Sequence, residues 1–238
     1  MSGGRGPSRQ TRVPTTEELM DLWRAAAESP PPLEELAARV HADTPPWDLD
    51  ALAAEAVRGT TAVLEVTAGE PTLEAEGFTL VGLDPDVQDA TDLPYPERCF
   101  DVVVDRHGGY DAAEVARVLR PGGVLLTDQL AGDDVVDLHA VFGAPLPRPH
   151  LTVDARADEL TDLGLDVTRR ETWHGPLAFD DVAALASYLA LVPWRSPADF
   201  SVDGYANTLI YLHMRAPAWG QPLVFTQSRF LLRAERPF

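Results

Sequence analysis

Apolar positions along the chain change their spacing beyond residue 61 and again in the last third, and each change marks a different kind of element. Thr15 and Glu18 form a capping box, and a helix is predicted through Leu19, Leu22, Trp23 and Ala26, ending at Ser29 before Pro30-Pro31-Pro32. Leu33, Leu36, Ala37 and Val40 repeat at helical spacing and predict a second helix. Pro45-Pro46-Trp47 breaks the chain, Asp48 or Asp50 caps a third helix through Leu52 to Val57, and Gly59 closes it. Beyond residue 61 short apolar runs replace this pattern. Ala62 to Val66, Phe78 to Leu83, Phe100 to Val104 and Val124 to Thr127 read as strands. Pro71 suits the first position of a short helix ending near Gly77, and Asp111 to Leu119 reads as a helix with Ala112, Val115, Ala116 and Leu119 inward. Near-continuous apolar strands alternating with helices indicate a parallel sheet covered on both faces.

The last third is less regular. Helices are predicted over 155–163 and 180–191, and strands over 165–173 and 224–235. Residues 195–220, with Pro197, Gly204 and Pro217, suit a lid. The opening residues 1–14 are polar and read as a disordered tail.

Composition narrows the partners. The 238 residues carry a formal net charge of −19, so phosphate backbones and anionic membranes are repelled. A small molecule, a cation or a basic peptide fits better than nucleic acid or a membrane, although acidity that only serves solubility is the simpler explanation of the charge. No apolar run approaches the ~20 residues of a membrane span. The N-terminus lacks a secretory stretch, and the single Cys99 leaves no disulfide framework or multi-cysteine zinc site. A reducing cytoplasm is the expected setting. All nineteen basic residues are arginines, which suggests a GC-rich genome and removes lysine chemistry such as Schiff bases or a P-loop. The histidines His139, His150 and His174 show no metal-ligand spacing, so no metal site is expected. Asp133-Asp134 and Asp180-Asp181 read as helix starts.

Two constellations remain. The turn Glu65-Val-Thr-Ala-Gly69-Glu-Pro71 follows the first apolar strand, where open α/β sheets bind ligands. Asp84 lies 15 residues past Gly69, at the end of the next strand, where an acid commonly accepts hydrogen bonds from a ribose diol. A solvated loop aspartate is the plainer alternative. The stretches Asp89-Ala-Thr-Asp-Leu-Pro-Tyr-Pro96, Phe100-Asp-Val-Val-Val104 and Glu114-Val-Ala-Arg-Val-Leu-Arg-Pro-Gly-Gly123 follow in order.

With these phrases, the chain from about Trp47 to Gln129 resembles the class I S-adenosylmethionine (SAM) methyltransferases of the broad small-molecule type. Leu189-Ala-Leu-Val-Pro-Trp194 and Ser228-Arg-Phe-Leu-Leu-Arg-Ala-Glu-Arg-Pro237 resemble a bacterial subgroup of that family. The resemblance implies an α/β Rossmann-like sheet, mostly parallel with an antiparallel last strand, preceded by N-terminal helices at 15–60 and carrying a lid-like insertion at about 177–222 of a domain spanning 61–238. It implies SAM as cofactor, with Glu65 and Gly69 holding the methionine part, Asp84 the ribose, and Asp89 and Ala90 the adenine. It places Asp105 to Gly109 beside the transferable methyl and the substrate, so Asp105 is also expected at the cofactor. His107 is the candidate general base, because its ordinary pKa suits proton transfer near neutrality. Tyr110 stands beside it as a second catalytic candidate. Arg106, Gln129, Trp194 and Arg195 are candidate substrate residues. For each, a plain loop or packing role is the alternative.

Two departures bear on function. The family pattern after the first strand is roughly E-x-G-x-G-x-G, and here Thr67 and Pro71 replace the outer glycines. Glu70 adds a carboxylate near the expected position of the methionine carboxylate, where like charges at ~4 Å cost about 1 kcal/mol in water and more in a cleft. Between Asp84 and Asp89 only four residues replace the family's helix and much of an edge strand. Three functions therefore stand: a small-molecule methyltransferase, a methyltransferase-fold pseudoenzyme that binds or regulates without SAM, and a cyclase or isomerase reusing the cleft. A dinucleotide oxidoreductase ranks below these, since G-x-G-x-x-G is absent.

Overall fold

A computed structural model describes residues 13–67, 70–73, 79–83, 91–106 and 109–238. The elements are α1 (Thr16–Glu28), α2 (Leu33–Leu36), β1 (Val40–Ala42), α3 (Leu49–Ala56), β2 (Ala62–Thr67), β3 (Thr79–Leu83), β4 (Phe100–Arg106), α4 (Ala112–Val118), β5 (Leu119–Leu130), α5 (Val136–Phe142), α6 (Val153–Asp162), β6 (Asp166–Phe179), α7 (Val182–Leu191), α8 (Ala206–Arg215) and β7 (Leu223–Glu235). Short 3₁₀ turns cover Pro193–Arg195 and Pro217–Trp219. The chain divides into two compact units. One holds residues 13–41 and Ala178–Val224, the other Ala42–Leu177 and Phe225–Phe238.

The strands form one seven-stranded sheet in the order β1-β6-β7-β5-β4-β2-β3. β2 pairs parallel with both β3 and β4, β4 pairs parallel with β5, and β7 closes antiparallel on β5. This is the Rossmann-like methyltransferase architecture anticipated from the chain. The seventh strand is supplied by the three-residue β1 at the edge opposite β3.

The sheet buries a different apolar set on each face, because successive side chains of a strand point to opposite sides. Leu64, Val66, Val103, Leu125 and Phe230 pack with Val115, Val118 and Leu160. Val63, Val102, Val104, Leu126 and Leu231 pack with Trp47, Leu49 and Ala53. At the amino end of the sheet, Asp101 accepts from Thr61 N, Thr61 Oγ1, Ala62 N and Arg120 Nη1, all at 2.8–2.9 Å. Desolvation opposes its charge, but these hydrogen bonds outweigh it and hold its pKa down to about 2.

Local signals placed several elements as expected. Thr15 caps α1 with the full capping box, Asp48 caps α3, Asp111 caps α4 and Asp181 caps α7. Others differ. The second helix is only four residues long, and Val40 opens β1 instead of continuing it. Leu22 faces solvent while Met20 and Trp23 take the buried stripe of α1. Asp133 and Asp134 do not begin a helix: α5 starts after Val135, which stands in the left-handed region, and Asp134 Oδ1 accepts from Ser228 N. Pro121-Gly-Gly123 is a bulge within β5, not a turn before it, with Gly122 at φ 77° where an L side chain is strained. Residues 71–73 are not helical, and the rest of the helix expected to end near Gly77 lies outside the described residues.

Candidate active site

Polar side chains gather at the carboxyl ends of β2, β4 and β5, the edge where open α/β sheets bind ligands. Strand alternation divides them between the two faces.

On the face of Val63 and Val104 lies Glu65. It is completely buried, and a bare carboxylate there would be costly. Its oxygens accept four hydrogen bonds: Thr72 Oγ1 at 2.7 Å and Arg106 Nε at 2.5 Å on one, Thr72 N at 2.9 Å and Leu73 N at 3.0 Å on the other. Those four occupy the acceptor sites a carboxylate offers. Desolvation pushes its pKa up, yet the donors of Leu73, Thr72 and Arg106 prevail and hold it below the usual range. Arg106 also meets Asp50 of α3 at 2.6 Å, while its buried Nη2 has no partner among the described residues. Pro71 seats against Gly82 of β3, where a Cβ would collide with the Pro71 ring. The turn after β2 is thus tied down at Pro71, Thr72 and Leu73. Further along the same face, Asp128 accepts from Trp47 Nε1 at 3.0 Å and from Arg229 Nη2 at 2.6 Å.

On the other face lies Asp105, also fully buried. Its Oδ2 accepts from Thr127 Oγ1 at 2.7 Å and Gln129 Nε2 at 3.0 Å, and its Oδ1 has no partner among the described residues. Desolvation dominates and raises its pKa to about 6. Tyr110 is buried nearby with its hydroxyl likewise unpartnered, and desolvation drives its pKa well above the usual phenol value. Arg156 of α6 lies over the Tyr110 ring at 4.9 Å and pairs with Glu159 at 2.6 Å, with its Nε unpartnered among the described residues. A buried acid, a phenol and a guanidinium, each with an open hydrogen-bonding atom, make a group able to hold or relay a proton.

The expected residues separate accordingly. Glu65 pairs in register with Val104, and Val66 with Asp105. Glu65 and Asp105, both expected at the cofactor, therefore project to opposite faces of neighbouring strands. Arg106 joins Glu65, while Gln129 and Tyr110 share the side of Asp105. Trp194 and Arg195 belong to the other unit: Trp194 is exposed, and Arg195 Nη1 donates to Tyr188 Oη at 2.7 Å. Gly69, Asp84, Asp89, Ala90 and His107 lie outside the described residues.

Thr127, Asp128, Trp47, Arg156 and Arg229 are site residues beyond those that the sequence motifs indicate. For Thr127 and Asp128 a signal existed, namely two polar residues closing an apolar strand. Trp47 and Arg229 lie 81 and 101 residues from Asp128, and nothing local pairs them with it. Among the described residues, no three His, Cys, Asp or Glu side chains form a metal cluster, and no helix is long and apolar enough to cross a membrane.

Comparison with solved structures agrees on the class of fold. A proposed methyltransferase of Bacillus halodurans C-125 superposes with a TM-score of 0.56 at 16% identity, over 80% of this chain and 99% of that one. The YcgJ protein of Bacillus subtilis gives 0.52 at 16% identity, over 80% and 98%. The [4+2]-cyclase SpnF overlaps more loosely, with a TM-score of 0.48 at 16% identity, over 94% and 97%. No family model and no curated protein matches the chain.

Proposed function

We propose that the chain is a SAM-dependent methyltransferase acting on a small molecule. The observation that carries this reading is the orphaned Nη2 of Arg106, a buried cationic donor at the carboxyl ends of β2 and β4. In a sheet of this fold that open donor suits the carboxylate of an amino-acid moiety. SAM, when bound, supplies a methyl group on a positive sulfonium, so the protein's work is alignment and proton handling.

Glu65 contributes by holding the Thr72-Leu73 turn and the Arg106 guanidinium in place, since its own oxygens are already filled. Asp84 is proposed to bind the ribose, Gly69 to let the turn approach the methionine part, and Asp89 and Ala90 to contact adenine. On the opposite face Asp105 Oδ1 and Tyr110 Oη are positioned to hold a proton, with Thr127 and Gln129 orienting the acid. His107 remains the proposed base when the nucleophile must lose a proton.

The test is a calorimetric titration with SAM and S-adenosylhomocysteine. Binding of both is expected, with Asp84→Ala weakening it about tenfold or more, as loss of charge-assisted hydrogen bonds should. No binding of either ligand near millimolar concentration would sink the reading. A second reading has its own observation. Pro71 seated on Gly82 and the saturated Glu65 close the turn where the family has glycines, as suits a protein of this fold that binds a ligand without methyl transfer. That reading expects a ligand in the cleft and no response to SAM.

A further inference from the structure

The unit formed by residues 13–41 and Ala178–Val224 carries a half-open cavity of about 420 Å³ between α1, the end of α7 and the 193–203 loop, with Glu28 at its exposed side. That volume falls within the range of small-molecule sites. Its apolar wall comes from Leu189, Pro193, Pro197 and Phe200. The framework is fixed from within. Ser187 Oγ donates to Ala26 O at 2.9 Å, joining α7 to α1, and Ser196 Oγ donates to Leu189 O at 2.5 Å and to Val192 O at 3.2 Å. A preformed wall of this kind loses little ordering entropy when it binds.

The charges around it are unbalanced. Arg24 is the cation of the lining, and it is already engaged by Asp203 through Nε and Nη2, both at 2.9 Å, and by Asp21 through Nη1 at 2.7 Å. Glu28, one helical turn along α1, also lines the cavity, and among the described residues no hydrogen bond or ion pair occupies its carboxylate. Within the lining one guanidinium thus stands with two carboxylates, Asp203 and Glu28, and Asp21 holds that guanidinium from outside it. An anion entering here would meet net negative charge, while an ammonium could meet the Glu28 carboxylate.

We propose that this cavity binds a small molecule consisting of a compact apolar body and a basic amine. Glu28 receives the ammonium, and the wall of Leu189, Pro193, Pro197 and Phe200 covers the apolar part. The site requires neither SAM nor the sheet residues, so it stands apart from the methyltransferase reading.

The test is calorimetric titration of the full chain at about pH 7, without SAM, using phenethylamine, phenethyl alcohol and phenylacetate. Phenethylamine is expected to bind about fivefold more tightly than the alcohol, a ratio suited to one partly exposed charge pair, and phenylacetate more weakly still. Glu28→Gln should erase the amine's advantage and leave the alcohol unchanged. Ala198→Trp, on the exposed rim, should abolish binding of all three with the unfolding temperature retained. Ala190→Phe fills the same cavity should that variant fail to fold. Equal affinities for the three ligands would overturn the proposal, as would an amine affinity indifferent to Glu28→Gln or no amine binding below about 10 mM. Because SAM is absent, these outcomes are independent of those of the SAM titration.

Discussion

Arg106 Nε stands 2.5 Å from Glu65 Oε1, and the two side chains leave adjacent parallel strands on the same face of the sheet. The pair is buried, and the same carboxylate anchors the turn at Thr72 and Leu73. Removing the cation leaves a buried charge with fewer donors. Arg106→Met should therefore destabilise the protein by about 3 kcal/mol or more. Glu65→Gln, which keeps the shape and one acceptor oxygen, should cost less. Urea unfolding measures both. Equal and small effects would show that the pair contributes little to the fold.

Asp105 gives the stability a pH dependence of unusual sign. Its folded pKa, about 6, lies above its ordinary value of 3.8. Between those values the folded state holds a proton that the unfolded chain has released, so stability falls as pH rises from about 4 to about 6. The full shift corresponds to about 3 kcal/mol. Asp105→Asn should remove this contribution, so the difference between variant and wild type should grow across that window and then level off. Asp101 and Glu65 act oppositely, since their lowered values cost stability only as pH falls below their ordinary range. A difference profile flat from about pH 4 to 7 would show that Asp105 titrates normally.

Trp47 Nε1 donates to the buried Asp128 at 3.0 Å. Trp47→Phe retains most of the ring and removes that donor. A hydrogen bond to a charged group is worth about 1.5–3 kcal/mol, and a loss in that range is expected by chemical denaturation. Loss of Arg229 should cost more, because it removes two bonds and the countercharge together.

Arg98 sits at φ 55° on the surface, between Leu93 and β4, and its backbone N–H donates to Arg117 O at 3.0 Å. A left-handed conformation costs an L residue about 1–2 kcal/mol, of which glycine's greater unfolded-state freedom offsets about 0.4–1 kcal/mol. Arg98→Gly should thus stabilise the protein by about 0.5–1 kcal/mol, seen as a higher unfolding temperature. A lower temperature would show that the arginine side chain contributes more than its backbone costs.

The strands and caps were legible in the chain because their causes are local. Val63, Val66 and Val102 to Val104 form apolar runs that favour a pleated, doubly covered strand, and Thr15, Asp48, Asp111 and Asp181 satisfy amide groups three residues ahead. Leu33 to Val40 keep helical spacing, which predicts helix beyond Leu36. Yet Val40 opens a strand, since pairing at a sheet edge outweighs the weak propensity of a four-residue helix. α5 carried little signal for a related reason. It is short and has no side-chain cap, so the burial of Leu138, His139 and Phe142 holds it rather than any local pattern.

The site divides along the same line. From local sequence come the carboxylates at strand ends, Glu65 and Asp105, and the polar close of β5 at Thr127 to Gln129. Register decides their company. The β2–β4 pairing brings Glu65 to Arg106, and the β4–β5 pairing brings Asp105 to Thr127 and Gln129 on the opposite face. Each register belongs to the pairing of two strands, not to either strand alone. Periodicity suffices for a parallel α/β sheet with acids at its carboxyl edge, and the methyltransferase likeness comes from the phrases between Asp89 and Gly123. Which acid is saturated and which keeps an open oxygen is settled only when the strands align, because a hydrogen bond depends on distances that sequence spacing does not carry.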